Sequence, residues 1–141
     1  MVDRVTTAQR SANMARVANK NTGPEMAVRR RLHASGFRFS LHRRDLPGRP
    51  DIALPAYRAA VFVHGCFWHG HECTRGRRPQ TNTAFWDQKI DRNIARDAAA
   101  KIQLEALGWE VHTVWTCCLA DGTAGLIVRL SALREQRRRP P

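Results

Sequence analysis

Between residues 83 and 107 the sequence carries Ile90, Ile94, Ala98 and Ile102 at four-residue steps and stops at Gly108. That spacing predicts a long amphipathic helix with one buried face. Earlier in the chain, Thr22 and Glu25 form a T-x-x-E start signal, Pro24 fits a first turn, and Met26, Val28 and Leu32 follow before Gly36. A first helix is expected there. Between these two helices, FRFSLH alternates as a half-buried strand does, LPGRPDIAL turns into a short strand, and YRAAVFVH is apolar enough to occupy a central position. WEVHTVWTC reads as a fourth strand and GLIVRLSALREQ as a last helix. The order of helix, three strands, helix, strand and helix predicts an α/β fold, a three-layer sandwich about a central mixed sheet.

The 141 residues suit one domain, and no repeat or second domain is visible. Residues 1–21 hold few large apolar side chains and read as an arm that orders on a partner, followed by a domain over 22–136 and a basic tail over 137–141. The 24 Lys and Arg against 12 Asp and Glu leave a net charge of +12, which expects a polyanionic partner. Nucleic acid is favoured over a membrane, because no apolar run approaches the roughly 20 residues of a spanning helix and the first residues lack the apolar core of a signal peptide. Four cysteines, two of them adjacent at Cys117 and Cys118, make an awkward disulfide framework and fit a reduced, cytoplasmic setting.

Candidate chemistry concentrates in VFVHGCFWHGHECTRG. Cys66, His71 and Cys73 follow a C-x4-H-x-C spacing, and a fourth soft ligand could come from Cys117 or Cys118. Three thiolates and an imidazole suit tetrahedral zinc in a structural role; the blander reading is buried thiols and surface histidines. His69 stays outside that set. Asp51 opens one strand and Val63 and His64 end its neighbour, so a carboxylate and imidazoles converge at one sheet edge. Such a carboxylate can hold Mg2+, and a neutral imidazole beside it can take a proton from an attacking water. Taken alone, Asp51 also reads as a turn aspartate, Glu25 as a capping residue, Asp97 as a solvated helix residue and Trp86 as core beside Ile90.

Taken together, LPGRPDIAL, VFVHGCFWHGHEC, FWDQKIDRNIARD and GWEVHTVWTCC resemble the very-short-patch mismatch repair endonucleases of the restriction-endonuclease-like superfamily, over about Ser11 to Cys117. The resemblance implies a bacterial nuclease that recognises the T:G mismatch left by deamination of 5-methylcytosine. It implies an Mg2+-dependent nick 5′ of the mispaired thymine. Where the superfamily usually places a second acidic residue and a lysine, this chain reads Phe62 and His64, so the task of the lysine falls to histidine.

By the same resemblance Asp51 holds the magnesium with the backbone carbonyl of Val63, His69 is the general base, and His64 a supporting imidazole. Glu25 and Asp97 match acidic positions that hold metal-bound water or orient a histidine. Cys66, His71, Cys73 and Cys117 match the zinc ligands, leaving Cys118 spare. Phe67, Trp68 and Trp86 match aromatics that wedge into the duplex from the major groove, and Met14 a residue entering from the minor groove. The implied partner is duplex DNA with a T:G mismatch, met by a monomer and followed by repair proteins. Two other readings remain: a zinc-stabilised DNA-binding module without catalysis, and a restriction or structure-specific nuclease of the same superfamily.

Overall fold

A computed structural model describes residues 22–138; the arm at 1–21 with Met14, and residues 139–141, lie outside the described residues. Helix α1 (Gly23–Ala34) begins where the start signal predicts, Thr22 Oγ1 accepting a hydrogen bond from the Glu25 N–H at 3.3 Å. Val28 and Leu32, one turn apart, are fully buried.

The strands are β1 (Ser40–Leu41), β2 (Ile52–Leu54), β3 (Ala59–His64) and β4 (Glu110–Trp115). They lie in the order β1-β2-β3-β4, with β2 antiparallel to β1 and β3, and β3 parallel to β4. The sheet is therefore mixed, and the apolar β3 sits inside it as its composition predicts. The alternating stretch at 37–42 supplies only two paired residues. Phe37 and Phe39 do pack on the core, Phe37 meeting Tyr57 edge-on at 5.8 Å, but ladder pairing stops at Leu41 because His42 turns left-handed at φ 49°.

Period-two alternation sorts the strand residues onto two faces. Ile52, Leu54, Ala59 and Val61 join Val28 and Leu32 of α1 and Leu126 and Leu130 of α3 (Leu119–Arg138). Ala53, Ala60 and Phe62 join Leu46 and Leu104 of α2 (Thr83–Ala106) on the other. Within α2 the four-residue stripe is only partly buried: Ile90 is enclosed, Ile94 is 39 % exposed and Ile102 69 % exposed, while Ala100 and Leu104 are buried instead. At about 100° per residue, three four-residue steps carry Ile102 roughly 120° past Ile90, so it rotates into solvent. Helix α3 is longer than its apolar run suggests and includes Arg137 and Arg138. By length and hydropathy the stretch Thr116–Arg138 could span a membrane, contrary to the expectation that no segment would, yet Leu126 and Leu130 are buried in the core against β2 and β3.

Candidate active site

Because β2 runs antiparallel to β3, the residue that opens β2 lies beside the residues that end β3. Asp51 Oδ2 accepts a hydrogen bond from the Val63 N–H at 2.8 Å, which fixes the carboxylate at this sheet end. Burial raises the Asp51 carboxyl to about 6; the charge of Glu25 adds to the rise, and the Val63 N–H, His42 and His69 oppose it. Glu25 is 2 % exposed, and its Oε2 lies 2.9 Å from His42 Nε2 and is also met by Arg29. The ligand atoms of Glu25, His42 and Asp51 all lie within 4.8 Å of one another. Two carboxylates at such a distance offer the hard oxygen donors that Mg2+ requires, so the residues fit that ion.

His42 and Arg29 were not picked out by the sequence. Neither belongs to a recognisable spacing, and His42 faces Asp51 only because β1 pairs with β2: the His42 N–H donates to the Asp51 carbonyl at 3.1 Å. The pairing register is the signal that would have found it.

A second group forms where β3 meets the following loop and α2. His69 Nδ1 lies 2.6 Å from Asp97 Oδ2, and His64 Nδ1 3.9 Å from the same oxygen. The two imidazoles stack at 3.7 Å with planes 2° apart. A carboxylate can only accept, so the His69 Nδ1–H donates to Asp97 and leaves Nε2 as the ring atom turned to other partners. Burial lowers His64 to about 4, the neighbouring His69 adds to the lowering and Asp97 opposes it, so His64 is neutral at physiological pH. A cavity of about 200 Å³ opens beside this group, lined among others by Phe62, Lys101 and Trp115.

The loop between β3 and α2 brings together Cys66, His71, Cys73 and, from the turn after β4, Cys117, again with one ligand atom each inside 4.8 Å. Three thiols and an imidazole in a closed cluster are the donor set of structural zinc, and the residues fit it. Cys118 Sγ lies 3.8 Å from Cys117 Sγ and is outside that group. His71 stacks on Trp115 at 4.1 Å, and Trp115 in turn meets His64 edge-on at 5.3 Å. Trp115 thereby joins the thiol cluster to the imidazole pair, a contact that spacing along the chain does not reveal.

Phe67, Trp68 and Trp86 form a cluster with ring centroids 5.1 to 5.8 Å apart. All three are half-buried, so Trp86 is not enclosed with Ile90. Asn93 Nδ2 holds the Trp68 carbonyl at 2.9 Å, and Lys89 Nζ lies 5.4 Å from the Trp68 ring centroid. Phe85, packed on Trp86 and 57 % exposed, extends the patch toward solvent.

Residues 2–75 match the profile of the family described as DNA mismatch endonuclease Vsr. The chain belongs to this family. Over 121 residues it is 50 % identical to the type II nicking enzyme V.XorIIP of Xanthomonas oryzae pv. oryzae, covering 86 % of this chain and 89 % of that one. It is 44 % identical over 121 residues to the type II nicking enzyme V.NmeAIP of Neisseria meningitidis, covering 86 % of each. The DNA mismatch endonuclease Vsr of Escherichia coli is 42 % identical over 112 residues, 79 % of this chain and 72 % of that one. Membership in a nuclease family agrees with a site that sets carboxylates and imidazoles side by side on a protein of charge +12.

Proposed function

We propose that the chain is a DNA endonuclease that nicks 5′ of the thymine in T:G mismatches, using Mg2+ at Asp51 and a structural zinc at Cys66, His71, Cys73 and Cys117. In this reading the fold is the three-layer, restriction-endonuclease-like sandwich, and the protein acts as a monomer in the bacterial cytoplasm. The observation that carries it is the His69–Asp97 contact of 2.6 Å beside Asp51. Asp97 holds His69 in the tautomer whose Nε2 can take a proton from the attacking water. His64, neutral and stacked on His69, keeps the ring in that plane without adding a charge beside it. Asp51 binds the cation together with the Val63 carbonyl, and Glu25 stands beside it. When bound, the cation neutralises charge developing on the phosphate oxygens. Phe67, Trp68 and Trp86, with Met14 of the arm, open the duplex at the mismatch, where unstacking costs least.

Purified protein is assayed on a T:G duplex and its T:A control with Mg2+. Strand-specific nicking of the T:G duplex alone is expected. Equal cutting of T:A points to a general nuclease of the superfamily, and nicking undiminished in Asp51→Ala removes the metal assignment. Binding of T:G duplex with no cutting under any divalent ion leaves a DNA-binding module only.

A further inference from the structure

We propose that His42 is a ligand of the catalytic cation, its imidazole completing with Asp51 and Glu25 a mixed oxygen and nitrogen site that prefers Mn2+ to Mg2+. The inference rests on the reading that the cation binds at Asp51. His42 is placed there by backbone and not by chance of rotamer. Pairing of Leu41 with Ile52 carries the chain to His42, whose N–H is held by the Asp51 carbonyl at 3.1 Å. The residue then adopts φ 49°, a left-handed conformation that costs a residue with a Cβ energy and collects at functional sites. The ring that results stands with Nε2 at 2.9 Å from Glu25 Oε2, while the side chain keeps 26 % of its surface exposed. In the metal-free protein this contact is a hydrogen bond from the His42 Nε2–H to Glu25 Oε2, so a cation would take the place of that proton, the ring keeping its other proton on Nδ1, and the ligand atoms of His42, Glu25 and Asp51 already lie within 4.8 Å of one another.

Charge also favours a neutral donor here. Arg29 meets the same oxygen of Glu25 and lies 3.4 Å from His42 Nε2, so part of the carboxylate charge is already offset. A dication at Asp51 therefore gains less from Glu25 than two carboxylates alone would give. An imidazole lone pair adds affinity without adding charge, and it does so selectively. Nitrogen ligands suit transition ions, whereas Mg2+ keeps oxygen ligands and water.

The test is pulsed EPR of Mn2+ bound to the zinc-loaded protein without DNA, alongside competition with Mg2+. Imidazole 14N coupling to Mn2+ is expected in the wild type. It is lost in His42→Asn, because asparagine tolerates the left-handed backbone but offers no ring nitrogen. The Mn2+ over Mg2+ preference falls by roughly tenfold or more, with zinc content and melting temperature unchanged. His69→Gln and His64→Gln are both expected to keep the coupling, which leaves His42 as the nitrogen even if His42→Asn fails to fold. Absence of 14N coupling in the wild type overturns the proposal, as does coupling that survives His42→Asn or disappears in His69→Gln or in His64→Gln. Asp51→Asn tests the underlying reading separately: Mn2+ bound equally well by that variant refutes the cation site itself. Mn2+ lost from Asp51→Asn, with no nitrogen coupling in the wild type, refutes His42 alone.

Discussion

Asp51 is held at a cost. Its carboxyl is raised from 3.8 to about 6, with burial the leading cause, so the folded protein binds this proton more tightly than the unfolded chain does. A raised acid leaves stability intact below the unfolded value and removes it as pH climbs through the folded one. At 1.36 kcal/mol per unit the loss amounts to roughly 3 kcal/mol once Asp51 is fully ionised. Asp51→Asn should therefore stabilise the magnesium-free protein by about 2 to 3 kcal/mol at pH 8 and by little at pH 4, read from denaturant midpoints, while abolishing nicking. A variant no more stable than wild type at pH 8 would show that burial does not penalise this charge. His64 has the opposite dependence. Its folded value is lowered to about 4, so the stability tied to its neutral ring is present above pH 6.5 and disappears as pH falls through 4. For the neighbouring pair, His69→Ala should cost about 10² to 10⁴ in turnover, the usual worth of a positioned base. Asp97→Asn should cost part of that, since an amide can donate to Nδ1 and so stabilise the wrong tautomer. Single-turnover rates on T:G duplex measure both, and an Asp97→Asn rate equal to wild type would separate Asp97 from the chemistry.

At the scale of elements, the thiol cluster is where the long loop between β3 and α2 meets the turn after β4. Residues 65–82 contain one short 3₁₀ turn, at Thr74–Gly76, preceded by hydrogen-bonded turns in which the His71 N–H donates to the Cys66 carbonyl at 3.0 Å and the Cys73 N–H to the His71 carbonyl at 2.8 Å; in the proposed reading zinc would tie these turns to Cys117. Gly76 is buried, and a Cβ there would fall on the His71 carbonyl oxygen; at Gly70, φ is 61° and a Cβ would come 2.6 Å from Ile94 Cδ1. Gly76→Ala and Cys73→Ser should both lower zinc content and melting temperature together. Cys118→Ser should change neither, because its sulfur lies outside the cluster. Equal zinc loss from Cys73→Ser and Cys118→Ser, measured by metal analysis, would reverse the choice of Cys117 over its neighbour. The same loop shows what could be read from the chain beforehand. Helix starts, the interior strand and the cysteine spacing are local patterns, and Thr22, Ala59–His64 and Cys66 to Cys73 were legible for that reason. The positions that misled depend on rotation or pairing over distance: Ile102 turns away from the core, β1 shortens to two residues, and His42 reaches Glu25 only through sheet register.

Across the whole molecule, binding and cutting are assigned to different groups. In the proposed function Asp51 and His69 act at the scissile phosphate, whereas Phe67, Trp68 and Trp86 form a separate half-buried aromatic patch on the loop and the first turns of α2. Replacing Asp51 or His69 should leave affinity for a T:G duplex similar or tighter, because a carboxylate near phosphate repels it until a cation arrives. Trp68→Ala should act in reverse. Stacking a base on an aromatic ring is worth about 1 to 3 kcal/mol, so the preference for T:G over T:A should fall by one to two powers of ten at about 1.4 kcal/mol per decade. The slope of affinity against salt should match wild type in both variants, since counterion release depends on the cationic side chains that meet phosphates and neither substitution removes one. Equilibrium binding of T:G and T:A duplexes at several salt concentrations measures affinity, preference and slope together. If Trp68→Ala kept its full T:G preference while Asp51→Ala lost it, mismatch recognition would lie at the phosphate site, and the aromatic patch would be only a cover for the loop that carries His69.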